Sequence, residues 1–315
     1  MGFVTSALTA YVNQESTDLL IPAITKGETA SLVTIIPGIK SSQALQKFTN
    51  TIVWADDDCA FAAGADATTY SQRNLAVDEI KIQEVLCPRN LEPFWTQKML
   101  SAGDDYTEAD IPAMYMELRM QLVQASIEDA IWRSQDGVAA GNLAFTDGFL
   151  MKVDGDGAGV CVDGNTGGIT AATGITSANI VAIMQGIYEV IPEALVGNSA
   201  VTAFCGWDTF RTYLIALTNA NMFHYVADGS TESGSITLPG LGLKIQAVSG
   251  LTGTNRIITA DPANLFVGTD LVSEFDRLKM WVADDNRNIR SDISFKLGTE
   301  IAYLEEVVQF ELDAS

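Results

Sequence analysis

The spacing of apolar and polar residues changes character several times along the chain, and each change marks an element. The most regular stretch opens at Asp110, a favoured N-cap type, with Pro112 in the first turn, where its missing N–H costs nothing. Apolar residues then recur at helical spacing in two stripes. Ile111, Met114, Leu118 and Leu122 form one, and Met116, Met120, Val123, Ile127 and Ile131 the other. This predicts a helix over 110–133, about 36 Å long at the usual rise per residue, touching neighbours on more than one side.

Residues 41–90 read as a long hairpin. Ile52-Val53-Trp54 leads into Asp56-Asp57-Asp58 and a small-residue tip, Ala62-Ala63-Gly64-Ala65-Asp66. The return leg runs from Thr68 through Leu75-Ala76-Val77 to Ile82 and Val85, alternating in places as a half-exposed strand does. A free two-stranded ribbon is marginal in water, so this one needs a partner surface. The preceding segment, 1–54, is charge-neutral, broken by Pro22 and Pro37, and without a sustained 3.6 period. It reads as an extended arm with a short helix that cannot bury itself and lies on something else.

Residues 153–175 hold seven glycines and no Lys or Arg, the composition of a loop or hinge. A compact α/β stretch follows. Thr176 or Ser177 caps a helix running to Ile191, stopped by Pro192. Next come a strand, Val201-Thr202-Ala203-Phe204-Cys205, and a helix over 209–217 capped by Asp208, with Phe210, Tyr213, Leu214 and Leu217 on one side. The C-terminal fifth returns to strands: 278–282, a turn at Asp284-Asp285-Asn286-Arg287-Asn288, period-2 alternation from Ile289 to Leu297, and a last strand through Val308, Phe310 and Leu312.

A chain of 315 residues accommodates one large or two ordinary domains, and 47% hydrophobic residues fill a real core. Charged residues are only 18%, and the shortfall is cationic: 18 Lys+Arg against 40 Asp+Glu, a net charge of −22. Gripping phosphate backbones takes clustered Lys and Arg, so tight or sequence-specific nucleic-acid binding is disfavoured. From Val153 to Leu243 the only cation is Arg211, against eight acids, which makes this an acidic lobe. The first 25 residues lack Lys and Arg, so no ordinary signal peptide is expected, and no apolar run is long enough to predict a membrane span. Met1-Gly2-Phe3-Val4-Thr5-Ser6 fits the permissive myristoylation pattern and is read as chance. Cys59, Cys87, Cys161 and Cys205 are far apart and form no CxxC, so reduced, mostly buried thiols are expected.

No residue set points to an active site. His224 is the one histidine, so a His-pair metal site is impossible and a nucleophile–His triad would depend on it alone, without a GxSxG. Gly155-Asp156-Gly157-Ala158-Gly159 lacks the dinucleotide-binding spacing. Asp154, Asp156 and Asp163 fail the calcium-loop pattern at Ala158 and Asn165. Glu305-Glu306 and Asp104-Asp105 are sequence neighbours, which in a strand face opposite ways and make poor acid/base pairs. No catalytic, cofactor-binding or metal-binding residue is assigned, and the chain is not expected to be an enzyme.

An arm, a long hairpin, a long helix, an acidic α/β lobe and closing strands, an α+β order, resembles the major capsid proteins of tailed bacteriophages with the HK97 fold. Two stretches carry the resemblance. One runs from Thr69-Tyr70-Ser71-Gln72-Arg73-Asn74-Leu75-Ala76-Val77 through Ile82 to Leu86-Cys87-Pro88-Arg89-Asn90-Leu91-Glu92. The other is Asn264-Leu265-Phe266-Val267-Gly268-Thr269-Asp270-Leu271, with Asp284-Asp285-Asn286 and Phe295-Lys296-Leu297-Gly298. The resemblance implies an N-terminal arm over 1–40 and an extended loop (E-loop) over 41–85. It further implies a peripheral domain over 86–150 and 271–315, with a spine helix at 110–133, and an axial domain over 151–270. It implies self-assembly as hexamers and pentamers into an icosahedral shell around phage DNA, in virions assembled in the bacterial host cytoplasm. Scaffolding, decoration and portal proteins are the implied partners; no cofactor and no membrane are. The type member cross-links its loops through Lys and Asn, whereas here no Lys lies between Lys47 and Lys81, so noncovalent locking is expected. Met1 stands directly on the arm, so any scaffold is expected from another chain. An encapsulin-type nanocompartment, with the same fold around a cargo enzyme, is the alternative, followed by a soluble acidic enzyme or adhesin.

Overall fold

The computed structural model describes residues 27–52, 54, 67–86, 110–164, 174–220, 234–238, 240–270, 277–282 and 288–312. The first part of the arm, the hairpin tip, Cys59, Cys87, Asp104-Asp105, His224 and the turn at 284–287 lie outside the described residues.

The alternation beginning at Ile289 builds the longest described strand, β12 (Ile289–Ile301), four residues longer than its sequence signal. On one side, β4 (Asp78–Leu86) pairs with it antiparallel along 289–297. On the other side β11 (Arg277–Val282) and β10 (Leu265–Thr269) follow each other, and β1 (Thr34–Ile36) adds parallel to β10. Odd-numbered residues of β12, among them Ile293, Phe295 and Leu297, bury against the helix α1 (Asp110–Arg133). From α1 come Met120, Val123, Ile127 and Ile131, of the second stripe of the sequence pattern, together with Ala130, all buried. Leu118 and Leu122, of the first stripe, are exposed.

The even-numbered face of β12 meets a different neighbour. Strands β2 (Ser42–Thr51) and β3 (Ala67–Ala76) form a ten-pair antiparallel hairpin, and its root lies on this face near Gly298. Gly298 stands opposite Gly268 in the ladder. A Cβ on Gly298 would sit 1.9 Å from the Ala76 carbonyl oxygen, and one on Gly268 would press on Val77, Ile39 and Leu75 at 2.9 to 3.1 Å. The two glycines therefore make the floor on which the hairpin root rests. Ile39, Leu75 and Val77 close a small core there with Ile36, Leu45 and Phe266.

The single return leg expected from Thr68 to Val85 is two strands. The Val77 N–H donates to the Ser41 carbonyl at 2.9 Å and closes the hairpin, after which β4 leaves to join β12. Leu75 and Val77 pack on one face of the sheet, whereas Ile80, Ile82 and Leu86 pack toward α1 on the other, and one straight strand cannot do both. The arm needs a similar correction. Residues 27–40 do bury in their own chain, through Thr29, Ala30, Val33 and Ile39.

The second sheet carries six described strands in the order β5 (Val162–Asp163), β13 (Val308–Phe310), β9 (Ile257–Ala260), β6 (Thr202–Gly206), β8 (Lys244–Val248) and β7 (Ser235–Thr237). Helices α3 (Ile180–Glu189) and α4 (Trp207–Asn219) cover one face, with Ile183, Ile187, Phe210 and Tyr213 in the core. The other face turns to α1 and α2 (Phe149–Asp154), so β6 is buried on both sides and reads as a continuous apolar run. Fully buried Trp132 joins the halves, its ring 5.3 Å from Phe149 and 5.5 Å from Phe204. Local boundaries shift. The first helix begins after Asn179 and ends at Glu189; the second begins at Trp207, so Asp208 sits inside its first turn. There Asp208 accepts the Gly253 N–H at 3.1 Å, holding the neighbouring turn instead of capping its own helix. Leu312 lies beyond β13.

The glycine floor generates a test. Gly298→Val forces a branched side chain into backbone, which costs about 3 kcal/mol or more by the usual penalties of overpacking. A drop in the calorimetric melting temperature of several degrees is expected, and an unchanged melt would show that the hairpin root does not rest there.

Candidate interaction surfaces

The described carboxylates and thiols are mostly engaged in structural contacts or buried. Asp154 takes both terminal nitrogens of Arg256 at 2.5 Å, and Asp156 takes Arg73 at 2.8 Å, so two of the three acids in the glycine-rich segment serve arginines. Among the described residues no cluster of three metal-ligating side chains occurs. Burial pushes the Cys161 thiol up to about 11 and raises Cys205 further, which keeps both protonated and poorly nucleophilic. Glu305 and Glu306 sit in a short 3₁₀ turn, Leu304–Glu306, not in a strand. Part burial pushes Glu305 up, but the hydrogen bond and charge of Lys47 outweigh it and hold the carboxyl below its ordinary range.

What the described surface does offer is apolar area. Residues 46, 48, 50, 52 and 54 share a parity along β2 and beyond, and Phe48 pairs with Tyr70 across the hairpin. The two rings meet edge to face at 5.0 Å while remaining 56% and 73% exposed. Ile52 and Trp54, just past β2, are exposed as well, Trp54 at 92%. On the opposite hairpin face Lys47 reaches Glu305 and lies 5.3 Å from the centre of the Tyr303 ring, so that face looks toward the body. Aromatic side chains this exposed on a ribbon without a core of its own mark a contact surface.

A second surface lies between α1 and β4. It is a groove of about 340 Å³, lined by Ile80, Ile82, Val123, Ile127 and Phe295 and equally by Lys81, Gln83, Ser126 and Asn142, so its wall is mixed apolar and polar. Leu122, 66% exposed, and Phe145 stand on its wall. The Arg119–Glu84 ion pair, 3.1 Å, spans from α1 to β4 at this end. This explains the two stripes of α1: one fills the chain's own core and the other faces out at Leu118 and Leu122. Sequence periodicity gave both stripes equal standing, because it records apolar spacing but not which face the rest of the chain covers.

A strap, residues 27–33, packs on α1 through Glu128 and Trp132. Glu128, 3% exposed, accepts the Thr29 N–H at 3.1 and 3.2 Å and the Thr29 hydroxyl, while the Trp132 indole N–H donates to Thr29 Oγ1 at 2.6 Å. Glu28 takes the Ser249 N–H and hydroxyl at 2.7 and 2.9 Å. Gly250 lets that turn approach, since a Cβ there would meet the Glu128 carbonyl at 2.5 Å. No sequence pattern marked Glu128, which sits in a helix among other acids.

No family model matches the sequence, and no curated protein matches it. Solved structures do match. A chain of the satellite phage P4 procapsid with its size determination protein has a TM-score of 0.57 at 10% identity, over 94% of this chain and 98% of that one. A chain of the native GTA particle capsid gives 0.55 at 11% identity, over 93% and 90%. A chain from Mycobacterium phage Cain gives 0.55 at 11%, over 92% and 91%. The mixed helix-and-sheet fold of this protein is that of chains in phage capsid structures.

Burial drives the Glu128 carboxyl above its ordinary range; hydrogen bonds from Thr29 pull it down, and the charges of Glu28 and Asp129 push it up. The folded chain therefore holds this proton to higher pH than the unfolded one. Its contribution to stability is full below the unfolded value and fades as pH rises through the folded one. Glu128→Gln is expected to flatten that part of the pH–melting curve and to keep the strap in place. An identical curve in the variant would show that Glu128 does not titrate differently on folding.

Proposed function

We propose that this chain is the shell-forming subunit of a phage-type capsid, and that the β2–β3 hairpin of each copy lies in the α1–β4 groove of the next. The observation that carries it is the pair of unlike surfaces on one chain, the exposed aromatic pair of the hairpin and the mixed apolar and polar groove with Leu122 on its wall, with nothing of the same chain on either among the described residues. Two different patches that fit each other make a heterologous contact, which propagates into rings when the rotation closes. The resemblance to phage capsid chains supports the same reading over nearly the whole length.

In this reading residues 1–40 are the arm, with 27–40 its anchored end, and 41–85 contain the extended loop. Residues 110–133 are the spine, 86–150 with 271–315 the peripheral domain, and 151–270 the axial domain around each hexamer or pentamer. The shell encloses phage DNA, in virions assembled in the host cytoplasm, with scaffold, decoration and portal supplied by other chains. The net charge of −22 suits a container whose wall must not trap its own contents.

Negative-stain microscopy and sedimentation of the chain expressed in bacteria test this. Closed shells are expected. Leu122→Asp places a charge in the groove and is expected to leave the melting temperature within a few degrees while abolishing closure. Burying a leucine contributes about 2 kcal/mol, and each contact recurs around the shell. Phe48→Ser with Tyr70→Ser is expected to do the same from the hairpin side. Normal shells from both variants would overturn the contact, and a chain that stays monomeric with every partner and salt would overturn the container. DNA or protein inside the shells separates a virion from a nanocompartment.

A further inference from the structure

Among the described residues the hairpin touches the body at two charged points besides its small apolar root, and they differ in kind. Arg73 on β3 gives two hydrogen bonds to Glu300 Oε1, 2.6 Å and 2.9 Å, and one to Asp156 at 2.8 Å. Glu300 is nearly buried, its side chain 4% exposed, with Lys152 a further 3.8 Å away. Lys47 on β2 holds Glu305 and covers Tyr303; the Lys47 and Glu305 side chains are 21% and 48% exposed. Leu45 pairs with Arg73 and Lys47 with Ser71, so both points lie on the same hairpin face, one step apart along it.

We propose that Lys47 and Arg73 are positioning residues, a two-point latch that fixes the angle at which the hairpin leaves the body, with the Lys47 point the one that yields. The consequence for shell contacts rests on the functional reading above, but the latch itself does not. Beyond Ser42 the described strand extends about 30 Å at the usual rise per residue. A swing of about 10° at the root therefore carries its far end about 5 Å, the difference between seating an aromatic pair in a groove and missing it. The apolar root alone, six side chains around the glycine floor, resists sliding more than tilting. Two cations spaced along one face resist tilting.

The Lys47 point is the weaker for two physical reasons. It is a single pair whose carboxylate is half exposed, so salt screens it, whereas Arg73 is shared between two carboxylates, one of them nearly buried. It also titrates. The groups acting on Glu305 are Lys47 and Arg73, with Glu306 beside it; Lys47 and Arg73 depress its carboxyl against part burial. A depressed carboxyl contributes above its unfolded value and loses that contribution as pH falls through the folded one. Acid and salt should therefore release the hairpin at Lys47 first, with Arg73 left as a pivot.

The test is a distance distribution from pulsed electron spin resonance on the unassembled full chain. Spin labels carried on unnatural residues at Thr49 and Arg133 leave the cysteines alone. At neutral pH and low salt one narrow distance is expected. Lys47→Met and Glu305→Gln should each broaden it by several ångströms, Lys47→Arg should restore it, and hydrogen exchange across β2–β3 should stay unchanged. Acid or high salt should broaden the parent chain but add nothing to Lys47→Met. An equally narrow distance in Lys47→Met and Glu305→Gln would overturn the latch whatever the shells do. Failed shells with an intact latch would instead count against the functional reading.

Discussion

Two facing glycines set the terms for the rest of this molecule. With any side chain at Gly298 or Gly268 the hairpin root could not come down onto the sheet, because the Ala76 carbonyl and the side chains of Leu75, Val77 and Ile39 already occupy that space. Once the root is seated, the other contacts come within reach. Arg73 meets Glu300 two residues along the same strand face, Lys47 meets Glu305 just past the strand end, and β4 departs to the opposite edge of β12. One close backbone approach thus seats the hairpin root on β12 and brings the charged contacts that set its angle within reach.

Charge complements this geometry. Cations are scarce, and those paired in the described residues stand at junctions between elements. Arg256 ties α2 to the C-terminal strand region through Asp154 and Glu311, and Lys40 and Lys296 flank fully buried Asp270 at 3.3 and 3.4 Å. A buried carboxylate without such partners would cost several kcal/mol. The many remaining acids give the surface a strong negative field, which repels like chains as well as nucleic acid. Against that field, the exposed Phe48–Tyr70 pair and the exposed Leu122 on the groove wall offer uncharged contact area.

Much of the architecture was legible in residue order. The helix Asp110–Arg133, the alternating strand from Ile289 and the α/β lobe between 176 and 217 all announced themselves, because a helix stripe or a half-buried strand writes its period directly into the chain. Errors fell where one residue answers to two neighbours. Val77 belongs to a strand pattern yet ends the hairpin, since the sheet needs Ile80 and Ile82 on its other face. Asp208 has the chemistry of a cap yet holds Gly253. Residues 27–40 looked like an arm with nowhere to go, because their partners Glu128 and Trp132 lie about a hundred positions away.

The sequence by itself determined most element types and their order, and a cation-poor composition. These are local or summed quantities that composition and periodicity preserve. Tertiary structure alone decided which stripe of α1 stays exposed, which glycines must be glycine, and which carboxylates hold the strap and the hairpin. Those depend on contacts between residues far apart in the chain, and neither spacing nor composition records them.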